Sequence, residues 1–332
     1  MPSDPIAILS DFLFAPRYDV AVASRRGTGF VQRPENQDNF VVIDFAGSAC
    51  HLQEQAVSRS VVRGWPAGHG RVAVLDGMGG HGHGREAAEA VAAGLLAIPA
   101  CHAPDELAHH LDVLHATLQR HFAGLAGPLG ARPGTTLTLL ELPAGGQPLL
   151  YHVGDSRLYE IGPAHALPLS VDHVPATSAA MRGHLDEHGW WQQVHGGHSP
   201  QIAQAFILGN AFSDPARLSD PLYALSPLNL PHWLSRLADR RVLELRPEAA
   251  YLLATDGFWS CAAPERFVGR WPGLLAGAPD AAAMVGRLFA AIDDTPPTGL
   301  QADNLTALVL RPLQARPGDH ADETALPHAG RD

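Results

Sequence analysis

Residues 71–86 read Arg71-Val-Ala-Val-Leu-Asp-Gly-Met-Gly-Gly-His-Gly-His-Gly-Arg-Glu86. A short apolar run, Val72–Leu75, stops at Asp76, and five glycines (77, 79, 80, 82 and 84) follow within eight residues. From Arg85 to Ala93 no breaker interrupts an alanine-rich run. The order is strand, tight turn, helix. Glycine has no side chain, so the backbone of such a turn can approach a ligand closely. Asp76 stands at the mouth of that turn, and the rest of the chain is read around it.

Upstream, the polar stretch Arg33-Pro34-Glu35-Asn36-Gln37-Asp38 leads into a strand over Phe40–Phe45, which places Asp38 at a strand edge. Tyr18–Ser24 reads as an earlier strand, followed by a turn at Gly27–Gly29, and residues 1–18 as a lead-in. Residues 46–70 read as an irregular connection. Downstream, a helix runs to Ile98, where Pro99 helps to end it, and a second spans Asp105–Phe122, with Leu107, Leu111, Leu114 and Leu118 at three- and four-residue spacing. Thr135–Leu142 is β-prone, and Gly145-Gly146 turns it into Leu149–Val153. That strand ends in Gly154-Asp155-Ser156-Arg157, and Leu158–Ile161 resumes the pattern.

Residues 172–241 read as an insertion or flap lying over the surface, with a short helix at Gln201–Leu208. Strands follow at Val242–Leu245 and Tyr251–Ala254, the second ending in Thr255-Asp256-Gly257. A short helix starts at Pro264 and an amphipathic one covers Asp280–Ile292. Asp303-Asn304 precedes a final strand, Leu305–Leu310, and 313–332 reads as a disordered tail. No internal repeat or long linker divides the chain, so residues 19–312 form one domain.

Composition narrows the chemistry. The chain has 332 residues, a net charge of −11 and 46% hydrophobic residues, enough for a sizeable core but without the basic excess of a nucleic-acid binder. All 23 basic residues are arginine. The absence of lysine removes Walker A chemistry, kinase-type phosphate binding and Schiff bases. Cys50, Cys101 and Cys261 are too few and too scattered for a disulfide framework, which suits a reducing cytosol. None begins a Cys-x5-Arg phosphatase loop. No signal peptide is visible, and the longest apolar stretch, Ala87–Ala100, carries Glu89 and is too short to span a bilayer.

Five aspartates share one local setting: Asp38, Asp76, Asp155, Asp256 and Asp303 each sit in a turn at one end of an apolar β-like run. Singly, each reads as a turn residue. Jointly, they can converge on one end of a sheet, where their mutual repulsion and desolvation become tolerable if cations sit between them. Oxygen-only ligands suit Mg²⁺ or Mn²⁺ better than zinc. A dinucleotide fingerprint competes, since Gly77–Gly82 satisfies GxGxxG. That reading sets Asp76 against a pyrophosphate and leaves the other aspartates unexplained. His81 and His83 read as turn histidines before metal ligands. Arg33 is an isolated cation whose guanidinium fork matches phosphate oxygens.

The series RPENQD, VLDGMGGHG, GTTLTLLEL, HVGDSRLY, LLATDGFW and ADNLTALVL resembles the bacterial form of the PP2C-type (PPM) metal-dependent Ser/Thr protein phosphatases, from about Gly27 to Arg311. The resemblance implies an α+β fold, an α-β-β-α sandwich of two antiparallel sheets flanked by helices. It implies that Asp76 bridges two Mn²⁺ or Mg²⁺ ions with the Gly77 carbonyl on one of them. Asp256 and Asp303 complete the first site, Asp38 serves the second, and Asp155 with Asp256 serves a third. Arg33 binds phosphate, and Asn304 and Ser156 support the ligands from behind. Gln37 and Met78 stand where some relatives carry a glutamate ligand and a histidine proposed as general acid. The implied protein is a monomeric, cytoplasmic enzyme, without nucleic-acid or membrane partners. It removes phosphate from serine or threonine of a protein substrate and opposes a Ser/Thr kinase. Two other readings keep the fold: a non-catalytic module that binds phosphoproteins, and a phosphatase of small phosphomonoesters.

Overall fold

Apolar residues come in unbroken runs along the central strands because both faces of each sheet are covered. The computed structural model describes residues 8–27, 33–79, 83–123, 132–197, 201–212 and 221–313. The larger sheet has the order β13 (Arg240–Val242), β8 (Leu149–Val153), β7 (Leu137–Leu142), β5 (Gly70–Met78), β2 (Asp38–Ile43), β3 (Ser48–Gln53), β4 (Ala56–Val61). The two-residue β6 (Gly134–Thr135) lies beside the end of β5. The smaller sheet runs β1 (Tyr18–Arg25), β15 (Leu305–Pro312), β14 (Ala250–Ala254), β9 (Arg157–Ile161), β10 (Ala166–Pro168). Every pairing in both is antiparallel. The strand before the glycine turn is thus flanked by antiparallel neighbours, and the parallel dinucleotide-binding reading of Gly77–Gly82 is excluded.

The two sheets bury a common core between their inner faces, with Val72, Val74, Phe40 and Val42 from one side and Tyr251, Leu253, Leu308 and Leu310 from the other. Alternate residues point the other way. Ala73 and Leu75 pack on α1 (Gly84–Ala97) and α2 (Pro104–Phe122), whose Val91, Leu95, Leu107 and Leu111 cover the larger sheet. Leu252 and Val309 pack on α5 (Pro264–Val268), α6 (Trp271–Leu275) and α7 (Ala281–Asp294). The layers are α-β-β-α, as expected.

Three local expectations are corrected. Residues 46–70 contain the β3–β4 hairpin. β4 is an edge strand with an exposed face, so it lacks the apolar signature of its neighbours. Gln201–Leu208 is not a helix: β11 (Gln204–Ala205) pairs with β12 (Gly209–Asn210), and Phe206 exchanges backbone hydrogen bonds with Thr135. Eight residues suit either state, and here the free backbone groups beside β6 decide it. The strand expected at Val242–Leu245 lies two residues earlier, as β13. The flap region carries α3 (Pro175–Met181) and α4 (Glu187–Val194) and a core of its own, in which Trp190 and Val194 meet Leu225, Leu230 and Leu234. Most of the turn at Gly27–Gly29 and all but the first residue of the 313–332 tail lie outside the described residues.

Candidate metal centre

The alternation that builds the inter-sheet core also places the carboxylates. On β5 the inward set is Val72, Val74, Asp76; on β2 it is Asp38, Phe40, Val42. Asp38 lies directly opposite Asp76 in the β2–β5 register. From the other sheet, the inward set Tyr251, Leu253 continues to Thr255, and Leu310, Leu308 to Thr306. At one end of the sandwich, therefore, apolar side chains give way to Asp and Thr on both facing sheets. A hydrogen bond closes the gap: Thr255 Oγ1 donates to Asp38 Oδ2 at 2.7 Å, and the Thr306 amide donates to Thr255 Oγ1 at 3.0 Å.

Beyond these residues opens a cavity of about 240 Å³ lined by Asp76, Asp155, Asp256 and Asp303, with Gly77 and Arg33. Gln37, Met78, Gly79, Ile202 and Asn304 complete its wall. Asp256 begins a 3-10 turn, Asp256–Phe258, at the end of β14. Close backbone packing fixes that end. A Cβ on Gly77 would sit 2.3 Å from the Gly84 carbonyl oxygen and 2.4 Å from that of Gln37, and one on Gly257 would sit 2.0 Å from that of Asn304. Asn304 ties the pieces together, its Oδ1 accepting from the Gln37 amide at 2.9 Å and its Nδ2 donating to the Glu35 carbonyl at 3.1 Å.

Burial is the first cause that lifts the Asp76 carboxyl well above the usual carboxylate range; the charges of Asp38, Asp256, Asp303 and Asp155 add to it in that order. Asp38 is pushed up to about 8, mainly by burial, against the opposing hydrogen bond from Thr255, with Asp303 and Asp256 adding to the rise. Burial and Asp256 raise Asp155 and Asp303, the latter opposed by Arg33. Arg33 is half-exposed; its Nη2 donates to Asp303 Oδ2 at 2.9 Å and its Nε to the Ala302 carbonyl at 3.2 Å. It is the one cation among the described residues that line the cavity.

A cluster of buried carboxylates facing one arginine is short of positive charge, and its all-oxygen donors fit hard divalent cations. Among the described residues, the only trio of His, Cys, Asp or Glu donor atoms mutually within 4.8 Å lies elsewhere, at Cys101, Glu106 and His110. The aspartates are spread more widely, which fits ions that complete their shells with water.

Of the residues expected here, Arg33, Asp76, Gly77, Asp155, Asp256, Asp303 and Asn304 line the cavity, and Asp38 lies behind it, bonded to Thr255. Ser156 is buried and off the cavity wall, 2.5 Å from Thr136 Oγ1, which in turn accepts from the Asp76 amide. His83 lies outside the cavity, 3.9 Å from Glu86; His81 lies outside the described residues. Sequence reasoning passed over Thr136, Thr255 and Ile202. Each threonine directly precedes or follows a β-run, and strand parity carried one residue further would have found Thr255.

No protein-family model matches the chain, and no curated protein is similar to it in sequence. The fold matches solved PP2C-type phosphatases throughout. The serine/threonine phosphatase of S. agalactiae aligns at a TM-score of 0.60 and 18% identity over 89% of this chain and 99% of that one. The PPM Ser-Thr phosphatase MsPP of Mycobacterium smegmatis, in complex with cacodylate, aligns at 0.54 and 22% over 88% and 97%. The catalytic domain of the serine threonine protein phosphatase PstP, in complex with two manganese ions, aligns at 0.56 and 20% over 90% and 99%. The chain therefore has the PP2C-type phosphatase fold.

Proposed function

We propose that this chain is a Mn²⁺- or Mg²⁺-dependent phosphatase of phosphoserine and phosphothreonine in proteins. The observation that carries the reading is the convergence of Asp76, Asp155, Asp256 and Asp303, from distant parts of the chain, on one cavity with Arg33 at its rim. Asp76, Asp256 and Asp303 would hold one ion; Asp76 and Asp38 would hold a second, with the Gly77 carbonyl serving one of these two; Asp155 and Asp256 would hold a third. Bound divalent ions supply Lewis acidity toward phosphate and water at neutral pH.

The chain's own residues do the positioning. Arg33, held by Asp303 and the Ala302 carbonyl, presents its guanidinium to the phosphate oxygens and neutralises charge as it shifts in the transition state. Thr255 orients Asp38, and Thr136 fixes the backbone of Asp76. Met78 offers no proton, so protonation of the leaving alkoxide would fall to a water or to another residue of the site. The phosphatase neighbours support a phosphoprotein substrate, which in turn implies an opposing kinase; the reading also takes the enzyme as a monomer acting in the cytoplasm. No helix among the described residues is long and apolar enough to cross a membrane.

Hydrolysis of p-nitrophenyl phosphate and of a phosphothreonine peptide, measured with Mn²⁺, with EDTA and in Asp76→Asn, tests this. Activity should need Mn²⁺ and fall by about 10³-fold in the variant; equal rates in all three would overturn the proposal.

A further inference from the structure

The trio Cys101, Glu106 and His110 lies on the outer face of the larger sheet, where the connection after α1 enters α2. It shares no residue with the aspartate cavity. Two of its members, Cys101 and Glu106, are held by hydrogen bonds. The Cys101 amide donates to Glu141 Oε1 at 2.9 Å, and its thiol points at the Pro99 carbonyl, 3.3 Å away. Glu141 is itself anchored by Arg71 and His69 in a fully buried network. Glu106 Oε2 accepts from the His102 amide at 2.7 Å. His110 follows Glu106 by four residues on α2, which sets both on one helix face. The thiol is buried, the carboxylate exposed and the imidazole between, so the group opens to solvent on one side.

We infer that Cys101, Glu106 and His110 form a second metal site, selective for a soft or borderline ion such as Zn²⁺. Thiolate and imidazole donors favour zinc and cobalt over magnesium and manganese, so this site and the aspartates divide the available ions by softness. Tetrahedral zinc at ordinary bond lengths sets its donors roughly 3.2–3.7 Å apart. Donors already within 4.8 Å reach that spacing by small side-chain rotations. Coordination expels the thiol proton to solvent and breaks its contact with the Pro99 carbonyl. With three protein ligands, the fourth position falls to water. The ion would pin the α1–α2 connection to α2, away from the phosphate chemistry.

Cobalt titration of the metal-free full chain tests this, with the aspartates first saturated by excess Mg²⁺. One equivalent of Co²⁺ should give a thiolate-to-cobalt charge-transfer band with tetrahedral d–d intensity, and Zn²⁺ should bleach both. Cys101→Ser should abolish the charge-transfer band, and His110→Ala should weaken cobalt binding about tenfold or more. Cys50→Ser and Cys261→Ser should leave the spectrum unchanged. Circular dichroism and an unchanged thermal melt establish that each variant is folded. No band in the parent chain, or a band that survives in folded Cys101→Ser, would overturn the site. The readout is independent of phosphatase activity, so it stands or falls separately from the aspartate centre.

Discussion

Asp38 and Asp76 show how far a single residue can be read from sequence. Both stand out because a carboxylate abuts an apolar run, Asp76 at its end and Asp38 at its start. Their pairing in register was not legible, because it depends on which strands become neighbours. Their raised pKa values have a thermodynamic consequence. A carboxyl with a folded pKa above its unfolded one binds protons preferentially in the folded state, so its contribution is full below the unfolded value, near 4, and is lost as pH rises through the folded value. For Asp38 that folded value is about 8. Between about pH 7 and pH 8, above the range in which the buried, neutral His152 and His195 pull the other way, the metal-free chain should melt at progressively lower temperature, and saturating Mn²⁺ should flatten the trend. A metal-free melting temperature that climbs over this range would refute the electrostatic account. Arg33 acts differently. Arg33→Ala should raise KM for a phosphopeptide about tenfold, and Arg33→Lys should recover little of it, because an ammonium lacks the planar fork. Steady-state kinetics with Mn²⁺ held saturating would decide this.

Among the elements, long buried ones were legible and short or exposed ones were not. α2 and α7 declare themselves through periodicity, α1 through an unbroken alanine-rich run, and the inner strands through apolar runs, except β3, whose buried positions include Cys50 and His51. β4 escaped because its burden is backbone pairing at an edge. β11 and β12 escaped because two-residue strands exist only by virtue of the partner they meet. The turn after β5 carries the sharpest constraint at this scale. Gly77→Ala drives a methyl group into two carbonyl oxygens that cannot withdraw without moving β2 and α1. A loss of about 3 kcal/mol in a urea titration is expected, together with lost Mn²⁺ binding. If the substitution is neutral in both, the close approach of backbone does not shape the site.

Across the whole molecule, the flap region is fastened to the aspartate-bearing end of the sandwich by a buried ion pair. Arg157 Nη2 donates to Asp172 Oδ2 at 2.7 Å and also to the Val194 carbonyl, while its guanidinium lies over the Trp259 ring. Trp190 anchors the flap core, with its Nε1 donating to Thr177 Oγ1 at 3.0 Å. Trp190→Ala should cost about 3 kcal/mol locally and expose the flap to protease before the sandwich unfolds. Limited proteolysis with mass mapping would show this, and first cuts within the sandwich strands would contradict it. This packing was hidden in the sequence because leucines, prolines and tryptophans separated by some fifty residues gave no period to follow.

β15 is the last strand among the described residues, yet it lies between β1 and β14, paired to both. Asp303 and Asn304 lead directly into it. Emerging from a ribosome, the polypeptide holds a slot in its smaller sheet open until Leu305–Pro312 has been made. Until that slot fills, the first strand lacks its sheet neighbour and the aspartate cavity lacks a wall. A chain cut short before residue 303 would lack Asp303, Asn304 and the strand they lead into, and would leave the cavity without one of its walls.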